Sequence, residues 1–254
     1  MENFNPFSLE DQRILVTGAT SGLGYEISLA CARMGAEVLC IGRNDERLQR
    51  TQLALDAISP RQHRTFYADL TNAVDRAALV TWIGSPINGV VNSAGISRLS
   101  PVRLMTEAHL REVQCINFEA PLMLMQGILR KNLVSQGGSV IFISSIAAHI
   151  GVAGVGVYSG TKAALIAAMR CMAMEVAKHK IRVNCLSPSL VVTPLFEQAM
   201  LTAGTESMAR QEANHPLGFG KPEDVANAAI FLLSNASRWI TGTTLVMDGG
   251  LTIS

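Results

Sequence analysis

Apolar residues along the chain recur in two alternating rhythms. Short β-prone runs at residues 13–17 (RILVT), 37–41 (EVLCI), 65–68, 88–92 (NGVVN), 139–143, 181–186 and 244–247 predict strands. The stretches between them place apolar residues one helical turn apart. They predict helices at residues 25–34, 45–58, 72–82, 106–132, 156–178 and 222–233. Punctuation agrees with the rhythm: Gly35 stops the first helix, and Pro222 opens the last. Gly137 and Gly138 are expected to end the long helix that begins near Thr106. Residues 1–11 read as a surface lead-in, and residues 194–212 as helical excursions in a mobile loop.

Strand and helix alternate from start to finish. This predicts an α/β fold, a single-domain, Rossmann-like, doubly wound parallel sheet of about seven strands with helices on both faces. No low-complexity linker, solenoid-length repeat or composition shift divides the chain, so residues 1–254 are expected to form one domain.

Composition narrows the function classes. With 48% hydrophobic and 16% charged residues, the chain has ample core material and no compositional sign of disorder. A net charge of +1, from 21 basic and 20 acidic side chains, lacks the footprint of a general nucleic-acid binder. Cys31, Cys40, Cys115, Cys171 and Cys185 are scattered and form no CxxC pair, so neither a metal site nor a disulfide framework is expected. They suit small buried hydrophobes in a reducing cytoplasm. No charged-then-apolar leader opens the chain. The longest apolar region, residues 140–157, is interrupted by Ser144, Ser145, His149 and three glycines. It reads as a buried strand and a loop, not a membrane span.

Two stretches carry candidate chemistry. The first, TGATSGLG, joins the first strand to the first helix. Gly18, Gly22 and Gly24 permit a tight turn and let backbone amides approach a pyrophosphate, and the helix N-terminus adds partial positive charge. Thr20, Ser21 and Leu23 complete that loop. The spacing is GxxxGxG, not GxGxxG, and a glycine-rich turn without a ligand is the alternative. At the end of the second strand, IGRNDERL puts Gly42 where a carboxylate would take the ribose hydroxyls of NAD. Arg43 supplies a guanidinium suited to the extra phosphate of NADP, the alternative being a solvated surface arginine, with Asp45 nearby.

The second stretch is SIAAHIGVAGVGVYSGTK. Tyr158 and Lys162 are four apart and share a helix face, with Ser145 thirteen residues before the tyrosine. A serine hydroxyl could polarise a carbonyl that a tyrosine protonates. A lysine ammonium beside the phenol is expected to pull its pKa below about 10. A Tyr and a Lys at this spacing also occur in helices with no such role, so the pair alone does not define a site.

In this order, these motifs resemble the short-chain dehydrogenase/reductase family, over residues 13–250. TGATSGLG is similar to the family's cofactor loop, and Asp69 and Leu70 match the segment that holds the adenine ring. Asn92-Ser93-Ala94-Gly95 resembles its NNAG element. Asn117 matches the asparagine that joins a water-mediated proton relay, with a purely structural helix residue as the alternative. Ser145, Tyr158 and Lys162 match its catalytic serine, tyrosine and lysine. Pro188, Val191 and Thr193 match the segment that borders the nicotinamide. The resemblance implies that Tyr158 and Lys162 also contact the cofactor, NADP(H), and that a ketone or aldehyde is reduced to an alcohol, or the reverse. Ser144 is a neighbour facing the other way, since alternate strand residues point to opposite faces. His149 could touch substrate or stand by.

One departure is Ser189, which follows Pro188 where the family usually has glycine. It implies a different arrangement of the nicotinamide edge. The C-terminal stretch is most similar to bacterial 3-oxoacyl-carrier-protein reductases. Arg130, Lys131, Lys178 and Lys180 are candidates for docking an acidic carrier protein, or ordinary cations at helix ends. The expected substrate loop, residues 193–215, carries Leu195, Phe196, Met200, Leu201 and Met208 and suits an apolar or mixed substrate. A steroid, a sugar-linked ketone or a small diketone would also fit. A catalytically silent NADP-binding sensor is the reading of another class. The family resemblance implies a homotetramer, with no nucleic-acid or membrane partner.

Overall fold

A computed structural model of the chain describes residues 5–193, 196 and 205–253. Its strands are β1 (Arg13–Thr17), β2 (Glu37–Gly42), β3 (Arg64–Tyr67), β4 (Ile87–Asn92), β5 (Val134–Ile143), β6 (Arg182–Pro188) and β7 (Thr244–Met247). The helices are α1 (Gly22–Arg33), α2 (Asp45–Ile58), α3 (Ala73–Ile83), α4 (Glu107–Gln114), α5 (Ala120–Arg130), α6 (Gly156–Val176), α7 (Thr205–Ala213) and α8 (Pro222–Leu233). The strands form one parallel sheet in the order β3-β2-β1-β4-β5-β6-β7.

The period of two along each strand builds two apolar layers. Ile14, Val16, Val38, Cys40, Val91 and Ile141 face one layer, where α1 and α8 contribute Ile27, Cys31, Val225 and Ala229. Leu15, Leu39, Ile41, Val90, Val140 and Phe142 face the other, met by Leu79 of α3, Leu124 of α5 and Leu165 and Met169 of α6. Both faces of the sheet are therefore covered, as parallel sheets require.

Chain direction across the sheet reverses between β1 and β4, whose ends pair Thr17 with Asn92. A crevice opens at such a switch point beyond the carboxyl ends of the strands. The loops after β1, β4, β5 and β6 all converge there.

Two expectations need correction, and part of a third lies outside the described residues. The helix expected over residues 106–132 is interrupted by a π-turn at Cys115–Glu119, centred on Asn117. It ends at Arg130, where the chain reverses at Asn132 with φ of +52°. Gly137 and Gly138 do not end it. They lie inside β5, where the pairing with β4 slips between Ile87 and Gly89. A Cβ at Gly138 would stand 2.7 Å from Val134 Cγ1 and 2.9 Å from Asn88 O, so the irregular strand, not a helix cap, requires this glycine. Of the expected substrate loop, Phe196 and α7 are described, whereas Leu195, Met200, Leu201 and the side chain of Met208 lie outside the described residues.

Candidate active site

The turn after β1 is built for close backbone approach. Gly18 has φ of +66°, and a Cβ there would lie 2.9 Å from Ala94 Cα; one at Gly24 would lie 2.4 Å from Gly18 O. Ser21 precedes α1 without capping it through its side chain, and the first turn of α1 has no acidic residue. That leaves the first-turn amides and the helix dipole directed at the crevice, an arrangement that suits an anion. Gly42 is closed from the same side: a Cβ there would meet Thr20 Cγ2 at 2.5 Å. Arg43 is exposed and has no hydrogen-bond partner among the described residues. Asp69 is held below the ordinary carboxylate range chiefly by the hydroxyl and amide of Thr71, with a smaller pull from the charge of Arg43. Leu70 follows, and its carbonyl accepts from Arg76.

Thr17 is a part of this crevice that the motifs did not single out. Its Oγ1 is buried and accepts from the amides of Ser93 (3.1 Å) and Ala94 (3.2 Å), tying the loop after β4 to the end of β1. The threonine that opens TGATSGLG was the available signal. Next to it, Asn92 donates to Ile141 O at 3.5 Å, while its Oδ1 is buried with no partner.

The second stretch folds as its spacing demands. Ser144 turns away and donates to Lys162 O at 2.9 Å, inside the protein. Ser145, extended at φ −164°, caps a short turn at Ile146–Ala148, and its hydroxyl is near enough to the Tyr158 phenol to lower that group's pKa. Tyr158 and Lys162 lie in the first two turns of α6, and Lys162 Nζ sits 5.6 Å from the centre of the tyrosine ring. That ammonium donates to Ile143 O at 2.8 Å and is buried. A Cβ added to Gly95 would lie 3.5 Å from it and 3.2 Å from Asn117 Oδ1. The Asn117 side chain is fully engaged: Oδ1 accepts from Ile96 N and Nδ2 donates to Ile96 O, both at 2.8 Å. It also reaches Thr161 Oγ1 at 3.4 Å. The π-turn thus aims a buried amide at the loop after β4.

The electrostatics differ from expectation. Burial pushes the Tyr158 phenol above its ordinary 10, with the Ser145 hydrogen bond pulling the other way. Burial also takes Lys162 down to about 8, against a smaller upward pull from Cys185. The expected depression of Tyr158 by Lys162 is not realised. Desolvation is the leading cause for both groups, and the ammonium is directed at Ile143 O.

On the far side of the crevice Pro188 ends β6, Val191 bridges to Gly220, and Thr193 Cγ2 comes within 3.7 Å of a Cβ built on Gly22. Thr193 thereby closes the ring of loops around the crevice. His149 reaches Ser187 Oγ through Nε2 at 3.0 Å. The four cations that were candidates for carrier docking lie elsewhere. Arg130 ends α5 and Lys131 follows it, just before β5 begins at Val134, whereas Ser145 follows the other end of that strand. Lys178 and Lys180 follow α6, about 24 Å along the helix from Lys162. Helices that return between parallel strands carry their C-termini to the opposite edge of the sheet, so these cations are remote from the crevice.

The residues fit a dinucleotide: an uncapped helix start, glycines packed on backbone, an orphaned buried Asn92 Oδ1 and a free guanidinium at the end of β2. Comparison with known proteins agrees. A family model described as enoyl-(acyl carrier protein) reductase matches residues 18–252. The chain is 32% identical over 251 residues to 2-(S)-hydroxypropyl-CoM dehydrogenase 3 of Xanthobacter autotrophicus, covering 96% of this chain and 98% of that one. It is 32% identical over 248 residues to a 3-oxoacyl-[acyl-carrier-protein] reductase of Chlamydia pneumoniae, covering 96% and 98%. A solved structure from Beutenbergia cavernae, described as an NAD(P)-dependent gluconate 5-dehydrogenase with NADP bound at low occupancy, superposes with a TM-score of 0.87. Its identity is 31%, over 98% of this chain and all of that one. Fold and crevice thus define a nicotinamide-dependent oxidoreductase architecture. The chain belongs to the short-chain dehydrogenase/reductase family.

Proposed function

We propose that this chain is an NADP(H)-dependent reductase that converts a ketone or aldehyde to an alcohol, or runs the reverse reaction. The observation that carries the reading is the convergence of Ser145, Tyr158 and Lys162 at the rim that also holds the uncapped start of α1. Gly18, Thr20, Ser21, Gly22, Leu23 and Gly24 would hold the pyrophosphate and Asp69 and Leu70 the adenine. Asn92, Ala94, Gly95, Pro188, Val191 and Thr193 would frame the nicotinamide half. Arg43 would take the ribose phosphate, its unpaired guanidinium being free to do so. When bound, the nicotinamide supplies or accepts the hydride.

The chain's own groups handle the oxygen. Ser145 donates a hydrogen bond to the substrate carbonyl oxygen, and Tyr158 delivers its proton there as negative charge develops. A phenol pushed above 10 is protonated at neutral pH, which suits a donor. Lys162 stabilises the phenolate left behind and would also bond the cofactor ribose, as would Tyr158. Asn117 has committed its side chain to Ile96, and the residue would hold the water that re-supplies the proton.

Substrates to be distinguished are a carrier-linked 3-oxoacyl thioester, a steroid, a sugar-linked ketone and a small diketone. The remoteness of Lys178 and Lys180 from the crevice speaks against those cations as a docking patch for the first. A reducing cytoplasm suits five cysteines that are all free. No helix among the described residues is long and apolar enough to cross a membrane. The test is an oxidation screen of these carbonyl classes with NADPH and NADH. Tyr158→Phe should lose roughly 10²–10⁴-fold in kcat. Arg43→Ala should weaken NADPH by about tenfold or more while sparing NADH. Full activity in the tyrosine variant would overturn the mechanism. Equal losses for both cofactors would overturn the NADP assignment, and no turnover of any class would favour a silent sensor.

A further inference from the structure

Ser189, the residue that departs from the family pattern, is not idle. Its Oγ lies 2.8 Å from His215 Nε2, and His215 Nδ1 lies 2.7 Å from Gln211 O in α7. A carbonyl only accepts, so Nδ1 carries the ring proton. Nε2 of the neutral ring is then the acceptor, and the Ser189 hydroxyl donates to it. The result is one directed chain: Ser189 hydroxyl to imidazole to the carbonyl of Gln211. It joins the end of β6 to the helix that forms the second half of the expected substrate loop.

The ring is buried at 4% exposure and packed edge-on against Phe219 at 5.4 Å, which in turn packs edge-on against Phe196 at 5.2 Å. Phe196 N donates to Thr193 Oγ1 at 3.2 Å, and Thr193 reaches the turn at Gly22. Backbone bonds fix both ends of the frame. Ser189 N donates to Met247 O, Gly220 N to Leu190 O, Val192 N to Gly220 O, and Leu217 N to Gly249 O. A closed circuit therefore runs from the phosphate turn through Thr193, Phe196, Phe219 and His215 to Ser189, beside Pro188.

We propose that Ser189 and His215 are positioning residues: a buried latch that holds α7 against the end of β6 and so sets the substrate side of the crevice relative to the cofactor side. A glycine at position 189 has no hydroxyl to donate and would leave the imidazole Nε2 buried without a partner. This rests on the proposed function only in locating the substrate; the latch itself is a feature of the free chain.

The test compares wild type with Ser189→Ala, His215→Phe, the double variant and Ser189→Thr, each first checked for folding by circular dichroism and cooperative melting. Two readouts are taken. Amide hydrogen exchange across α7 in the cofactor-free protein should quicken about tenfold in each single variant and no further in the double, and Ser189→Thr, which keeps the hydroxyl, should restore wild-type exchange. Unchanged exchange, or effects that multiply in the double variant, would overturn the latch. With the carbonyl substrate found by screening, KM should rise about tenfold while kcat and NADPH affinity stay within about twofold. Quickened exchange with an unchanged KM would overturn the positioning role. If wild type reduces no carbonyl, the functional reading fails. The exchange readout then still decides the latch, and the positioning role falls with that reading.

Discussion

Lys162 is a cation in a place that disfavours cations, and that conflict is measurable. Its folded pKa of about 8 lies below the ordinary 10.5, so between these values the unfolded chain binds more protons than the folded one. Stability should therefore rise with pH from about 8 to about 10.5, as the charged form is lost from the unfolded chain as well. Below about 8, the full penalty of burying the ammonium is present, on the order of 3 kcal/mol. Lys162→Met removes that penalty but leaves Ile143 O without its donor, a loss of about 1 kcal/mol. The variant should be inactive yet more stable than wild type by ~2 kcal/mol at pH 7, with the gap closing towards pH 10. Thermal or denaturant unfolding at the two pH values decides it, and a variant less stable at pH 7 would refute the argument. The sequence placed this lysine four residues from Tyr158. It could not show that burial dominates the pair, because burial comes from Ile143, Gly95 and Cys185, all distant in the chain.

Among the elements, the turn from β1 into α1 has the least room. A Cβ at Gly24 would stand 2.4 Å from Gly18 O and 2.8 Å from Gly18 C, which are backbone atoms and cannot swing aside. Gly24→Ala should cost about 2–3 kcal/mol and lower nicotinamide-cofactor affinity. Gly151→Ala, whose Cβ would meet nothing within 4 Å, is the matched control. Calorimetric unfolding and cofactor titration of both variants check it, and equal behaviour would show that the turn can yield. The sequence was most legible where punctuation was local. Asp45–Ile58, Pro222–Leu233 and Thr244–Met247 have the predicted bounds, the first capped by Asn44 and the second opened by Pro222. It was least legible at Cys115–Glu119. A π-turn there leaves the helical periodicity on both sides intact, and its reason is the grip of Asn117 on Ile96, 21 residues away. The glycines at 137 and 138 misled for the same reason, since a strand irregularity and a helix end use the same residue. Ser189 was visible as a departure, but its partner His215 became legible only when folding brought them together.

At the scale of the whole molecule, a lone chain leaves several large apolar side chains and one sheet edge in water. Met123 of α5, Met174 of α6 and Trp239 are exposed, and β7 is an outer strand of the sheet with Leu245 and Val246 partly exposed. We propose that self-association covers them, in the homotetramer that the family resemblance implies. Light scattering should give about four times the 27.2 kDa of one chain, and a mass near one chain would refute the homotetramer.

The sheet also has two ends with different duties. The groups proposed for catalysis and cofactor binding gather where the strands finish, while the rim where they start carries the exposed irregular stretch of β5 at Gln136 and Gly137 and the polar hollow around Asp11, Arg61 and Gln62. A Cβ at Gly137 would meet nothing within 4 Å. That rim is the place for a surface tether or a spliced reporter peptide: a graft there would lie a full strand length from the chemistry, and an immobilised enzyme would present its crevice outward.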